Sequence, residues 1–262
     1  MRKGITFFSA LLIVLSFTSC RTSKDLVYLN DVDGQELHEG LPVEMPEYRI
    51  QANDNLYVNI KSMNPDVNQI FNPIQGGGSM SGTQQMYGQL SGQYLNGYQV
   101  NQQGNINLPI MGSIQISGLT LPQAESCIRK KASEYLKECT VKVKLLSYKV
   151  TVMGEVKSPG VYYNYSNNMT VFEAISMANG VTDFASIKRV LVVRPTKEGS
   201  KSYRLNLTSK KLLASEAFYL LPNDVVYVEP DKYKNVRLNS SVYALFLSSI
   251  STLVLILNFM NG

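Results

Sequence analysis

The residues that could carry out chemistry are few and scattered. The only histidine, His38, lies in the polar stretch Asp33-Gly34-Gln35-Glu36-Leu37-His38-Glu39-Gly40, the setting of a solvated surface side chain. A Ser-His-Asp or Cys-His catalytic arrangement would have to use it, because the nucleophile needs a base within hydrogen-bond reach. The three cysteines, Cys20, Cys127 and Cys139, form no Cys-x-x-Cys pair and no cluster with histidine, so no metal site is expected. The run Gly76-Gly77-Gly78 lacks the Gly-Lys-Ser/Thr ending of a phosphate loop. No acidic pair stands out as the two carboxylates that a glycosidase sets across a cleft. The sequence therefore predicts no catalytic residue, no cofactor and no enzyme.

The residue with a defined chemical role is Cys20. Arg2 and Lys3 open a basic region, Ile5 to Phe17 is apolar apart from Thr6, Ser9 and Ser16, and the small residues Thr18 and Ser19 precede the cysteine. That order reads as a secretory signal over residues 1–19. It resembles a bacterial lipoprotein signal, in which the cysteine becomes the first mature residue and is acylated; Phe17 stands where leucine is commoner. Acyl chains contribute roughly 0.8 kcal/mol per buried CH₂ and several together anchor a protein firmly. The chain carries 25 basic and 20 acidic residues. Without Arg2 and Lys3 the net charge is +3, with no dense Lys/Arg stripe, so nucleic acid is not an expected partner.

At the other end, Val242 to Met260 is apolar and no charged residue follows Arg237. About 20 helical residues span roughly 30 Å, so residues 231–262 are expected to hold a transmembrane helix. Ser241, Ser248, Ser251, Thr252 and Asn258 fall on one stripe of that helix. Two uses of the stripe fit, close helix packing in a membrane or a wet lumen lined by a ring of helices.

Between these ends, residues 20–45 read as a lipid-anchored linker and two small domains follow. In the first, Leu56, Val58 and Ile60 alternate as in a strand. Residues 63–98 are rich in Gly, Gln, Asn and Ser and read as a flexible loop. Short strands around Gly and Pro turns fill 98–116, a helix capped by Thr120 runs to about Leu136, and Thr140 to Leu145 alternates cleanly. Cys127 and Cys139 leave a disulfide and two free thiols equally open. The second domain has a strand at 150–156, the turn Lys157-Ser158-Pro159-Gly160, and a helix from Val171 to Ala178 capped by Thr170. A strand from Ile187 to Arg194, apolar on both faces, and a turn plus strand at 221–228 complete it.

In order, these motifs resemble the outer-membrane polysaccharide export family, the translocons of capsule and exopolysaccharide. The resemblance rests on the signal ending at Cys20, then "YRIQANDNLYVNI", "GNINLPIMGSIQISGLTLPQAESCI" and "YLKECTVKVKLL" in an export domain at 46–147. "VTVMGEVKSPGVYY", "TVFEAISMANGVTD" and "LLPNDVVYVEP" follow in a soluble-ligand-binding (SLBB) β-grasp domain at 148–230, before the C-terminal helix. It implies an α+β fold of two mixed α/β periplasmic domains and a ring of identical subunits anchored to outer-membrane lipid. The C-terminal helices would cross that membrane together, and a porin-like passage would carry capsular polysaccharide or exopolysaccharide. An inner-membrane chain-length regulator is the implied partner. Asp54, Gly112, Gly154, Pro159, Gly160, Gly180 and Asp224 occupy the family's motif positions, and each reads as a turn residue rather than a catalyst. There is room for one β-grasp repeat where larger members have two, which implies a shorter ring, and the 63–98 loop is longer than the family's. The reading from another class is a scaffold lipoprotein that binds an envelope polymer without a pore.

Overall fold

The computed structural model describes residues 26–32, 44–72, 97–196, 198–232, 234–235 and 239–260. Cys20, His38 and Gly76-Gly77-Gly78 lie outside them.

The first domain is organised by strand β1 (Asn55–Ser62), which sits between β2 (Tyr98–Gln99) and β5 (Cys139–Leu145) in an antiparallel sheet. β1 and β5 turn Leu56, Val58, Ile60, Val141 and Val143 inward, as the period of two requires. Beyond Leu56 the second edge of β1 has no strand partner among the described residues. Side chains of helix α1 (Pro65–Phe71) and its C-cap replace one: Asn72 donates to the Ile60 carbonyl (2.7 Å) and accepts from its amide (2.9 Å), and Asn68 does the same at Ser62. The helix corrects the reading of 63–98 as a loop throughout. Asn64 caps it and Pro65 fits its first position, where a missing N–H costs nothing. Residues 73–96 lie outside the described residues.

A hairpin of β3 (Asn105–Leu108) and β4 (Gly112–Gln115) and helix α2 (Leu121–Ala132) close this core. Thr120 and Gln123 form a reciprocal capping box, and Ala124, Ile128 and Ala132 recur on the buried face. The helix ends at Ala132 rather than Leu136. Ser133 folds its hydroxyl back on the Arg129 carbonyl, and the Tyr135 amide bonds Ala132 in a tighter turn. Cys127 and Cys139 are both free thiols.

The second domain is a five-stranded sheet in the order β7-β6-β10-β8-β9. Its strands are β6 (Lys149–Gly154), β7 (Gly160–Tyr163), β8 (Ala185–Thr196), β9 (Gly199–Leu205) and β10 (Val225–Pro230). β10 runs parallel to β6 and antiparallel to β8. Helix α3 (Val171–Met177), again with a capping box (Thr170 and Glu173), covers one face. The other face is not covered to the same degree. Val190 and Val192 are buried while Leu191 and Val193 are half-buried, so β8 is apolar on both faces but packed on one. Gly154 has φ +91°, and a Cβ there would stand 2.2 Å from the Val228 carbonyl oxygen, so strand pairing with β10 requires glycine.

Part of the expected linker is packed on this domain. The Leu29 and Asn30 amides bond the Leu207 and Thr208 carbonyls, and the Asp31 carboxylate accepts from the Ser209 hydroxyl and the Lys210 amide at the start of a 3-10 helix (Lys210–Ala214). Tyr28 meets Phe172 edge to face at 5.8 Å.

The C-terminal helix α4 (Ser240–Met260) forms, but among the described residues no helix is long and apolar enough to cross a membrane. The expected transmembrane helix is thereby corrected, and with it that part of the fold class. Ser248, Ser249, Ser251 and Thr252 interrupt the middle of the run and split it into two short apolar stretches, residues 242–247 and 253–257. Each of these four hydroxyls donates to a carbonyl one turn back, at 2.7–2.9 Å. The described side chains from Ala244 onward are exposed all round.

Ile110, at the tip of the β3–β4 hairpin, has φ +66° and is half exposed. A β-branched residue in that region costs roughly 1–2 kcal/mol, and asparagine tolerates it. Ile110→Asn is expected to raise the unfolding free energy by about 1 kcal/mol in urea titrations, whereas Ile128→Ala, at a fully buried site, lowers it by about 2–5 kcal/mol. A loss of stability at Ile110→Asn would show the hairpin tip to be unstrained.

Candidate functional site

The two domains meet along the short segment Leu146-Ser147-Tyr148, and a turn of the same chemistry grips it from each side. In the first, Asn53 sits at φ +70° and the Asp54 carboxylate accepts from the Gln51 amide at 2.8 Å. In the second, Asn223 sits at φ +70° and the Asp224 carboxylate accepts from the Leu221 amide at 2.8 Å. Asparagine tolerates the left-handed region, and an aspartate one residue later bonds backwards to close the turn.

The two carboxylates are buried, at 4% and 0% exposure, but they are satisfied differently. Asp54 takes only neutral donors: the Tyr48 hydroxyl on both oxygens (2.8 and 3.0 Å), the Gln51 amide, and the Ser147 hydroxyl (3.2 Å). Ser147 in turn accepts from the Asn55 amide, and the Leu146 amide bonds the Asn55 carbonyl, so the first turn holds the linker. Asp224 takes the Arg194 guanidinium through Nε and Nη2 at 2.8–3.2 Å. The guanidinium is completed by the Tyr219 and Glu216 carbonyls, and Tyr203 stacks beneath it at 5.4 Å. The Asn223 amide bonds the Lys149 carbonyl and the Tyr148 hydroxyl reaches the Leu220 carbonyl, so the second turn holds the linker's far end.

Burial raises the Asp54 carboxyl above its ordinary value, against the pull of its donors. Tyr48 is raised by burial and by the Asp54 charge, and Tyr148 is pushed up to about 12 by burial, so both remain neutral phenols. Burial works against the Arg194 charge, but the bonds and charge of Asp224 outweigh it and hold the guanidinium's pKa above normal.

A cleft of about 430 Å³ opens beside this seam, lined among others by Tyr48, Glu125, Lys144, Tyr148, Tyr165 and Asn168. Apolar side chains such as Leu121, Leu145 and Leu221 share the lining with three tyrosines, Glu47 and Lys144, so the cleft is mixed in character. Glu125 is occupied by the Val143 amide, which belongs to the free edge of β5. Among the described residues no group of three His, Cys, Asp or Glu could hold a metal.

Of the residues singled out from the sequence, the structure brings Asp54 and Asp224 to the seam. Gly154, Pro159, Gly160 and Gly180 gather elsewhere, where the Lys157 amide bonds the Gly180 carbonyl after α3 and Gly160 begins β7. Gly112 closes the β3–β4 hairpin. Ser248, Ser251 and Thr252 lie on α4, while the side chains of Ser241 and Asn258 are outside the described residues, as is Cys20. Tyr48, Ser147 and Arg194 were not singled out. The repeated pattern Asn-Asp-x-x-Tyr-Val, at 53–58 and 223–228, is the sequence signal by which the paired turns could have been found.

Asp54 is protonated more readily in the folded state than in the unfolded one. Its contribution is complete below the unfolded value of about 3.9 and is lost as pH rises through the higher folded value. The stability of the native chain minus that of Asp54→Asn, measured by urea unfolding at a series of pH values, should fall as pH rises out of the acid range and then level. A difference that grows with pH would contradict the assignment. Arg194→Met leaves a buried carboxylate alone and should cost about 3–5 kcal/mol by the same assay.

Residues 42–146 match the family described as polysaccharide biosynthesis/export protein, and residues 148–228 match the SLBB domain. The boundary between the matches falls on the linker gripped by the two turns. Among curated proteins, the chain is 28% identical over 152 residues to the EPS I polysaccharide export outer membrane protein EpsA of Ralstonia solanacearum, and 28% identical over 154 residues to that of Ralstonia nicotianae. Each alignment covers 56% of this chain and 39% of the relative, so the chain spans well under half the length of these relatives. With an export domain followed directly by an SLBB domain, this chain belongs to the polysaccharide biosynthesis/export family.

Proposed function

We propose that this chain serves in the outward passage of a bacterial exopolysaccharide or capsular polysaccharide at the outer membrane. It acts as a transport component rather than an enzyme. The observation that carries this reading is the ordered pair of domains, export then SLBB, joined without a spacer at a hydrogen-bonded seam. The likeness to the two Ralstonia polysaccharide export outer membrane proteins supports the substrate class and the membrane.

In this reading Cys20 is acylated and holds the chain to outer-membrane lipid. Copies of the chain associate in a ring whose two domains per subunit surround the polymer, since a closed ring repeats one interface by rotation. An inner-membrane chain-length regulator hands the polymer to it. Asp54, Asp224 and the turn glycines set the angle between the domains and take no part in chemistry. A second reading, an envelope-polymer-binding scaffold without a pore, is favoured by the lack, among the described residues, of a membrane-crossing helix.

Two measurements test these. Cells lacking the chain should release little polymer, regain release with the native gene, and fail to regain it with Cys20→Ala; undiminished release without the chain would end the export reading. The mass of the detergent-extracted protein, with dye-labelled dextran efflux from proteoliposomes, separates the alternatives. A ring that leaks dextran is the expected result, and a monomer without efflux leaves the scaffold.

A further inference from the structure

The inward side of the β1–β5 pair is apolar, so the alternation of a strand sends Tyr57, Asn59 and Lys61 to its outer face, opposite Lys144, Lys142 and Thr140. The register pairs Tyr57 with Lys144, Asn59 with Lys142, and Lys61 with Thr140. Lys142 and Lys144 are thus neighbours on one strand face, about 7 Å apart, and Lys61 stands on the diagonal from Lys142 at roughly 7–8 Å. These six side chains line a shallow groove of about 380 Å³.

All six are polar and none is a carboxylate. No ion pair among the described residues involves Lys61, Lys142 or Lys144, which are exposed. Like charges at these spacings repel, and nothing in the groove neutralises them. Tyr57 and Asn59 are held by contacts of their own, with Asn59 only 7% exposed, so the groove has a fixed polar floor beneath mobile ammonium groups. Lys144 also lines the cleft at the domain seam.

We propose that this lysine groove binds the carboxylate groups of an acidic polysaccharide, making the cargo a uronate-bearing polymer rather than a neutral one. The inference rests on the export reading for the kind of polymer but is tested by binding alone. Exposed lysines attract such a chain over a Debye length without holding it tightly. A site that cargo must leave as well as enter needs that balance.

The test uses the full-length protein in detergent with three probes: fluorescent polygalacturonate, neutral dextran and phosphatidylglycerol vesicles. Polygalacturonate should bind best, with an affinity that falls as salt rises. The Lys61→Gln/Lys142→Gln/Lys144→Gln variant should bind it roughly tenfold more weakly. A control with Lys130→Gln, Lys157→Gln and Lys201→Gln, equal in charge lost but elsewhere on the surface, should keep native affinity. Thermal melting checks that both stay folded, and Lys142→Glu alone should show a loss of the same sign. Native binding by the groove variant, an equal loss in the control, or preference for dextran or vesicles would overturn the proposal. Polymer release by cells is a separate readout. A chain that binds polygalacturonate through the groove but is dispensable for release sinks the export reading and leaves the groove standing.

Discussion

The arrangement of the two domains depends on a buried carboxylate closing a turn at each end of a three-residue linker. An aspartate removed from water must have every lone pair met, or it destabilises the fold by more than its bonds return. Asp54 and Asp224 meet that condition with donors that are themselves at the seam. The linker therefore inherits the rigidity of two turns, which tie its ends to the two domains through hydrogen bonds.

The two solutions differ in kind. Asp224 is paired with a charge and sits deep in the second domain, where Arg194 also fastens the Glu216 and Tyr219 carbonyls. It behaves as a structural rivet. Asp54 has only hydroxyls and an amide, and two of those donors, Tyr48 and Ser147, come from segments outside its own turn. Its ionisation state is thus coupled to how the linker sits.

Away from the joint, the surface of the first domain is divided by the strand period. One face of β1 and β5 makes the core, and the other presents lysines, a phenol and amides without acidic relief. Folding stability is therefore assigned to alternate residues of these two strands, and the polar face is left to solvent.

Much of the domain architecture was legible in the chain: Thr120 and Thr170 as helix caps, Leu56-Val58-Ile60 and Val141-Val143 as half-buried strands. These follow from local steric and hydrogen-bonding rules that operate over a few residues. Helix α1 was not legible, because its Asn and Asp residues read as loop until Asn68 and Asn72 are seen completing the edge of β1. The C-terminal helix shows the same limit in reverse. Its low charge suggested a membrane span, yet the central hydroxyl cluster leaves it short of one. Local rules in the sequence thus settled those helix caps and strand faces. Only the tertiary structure decided that Asp54 and Asp224 share one linker, that Arg194 is buried, and that three lysines from two strands stand together. Those are contacts between residues 30 to 93 positions apart, and no local rule reaches that far.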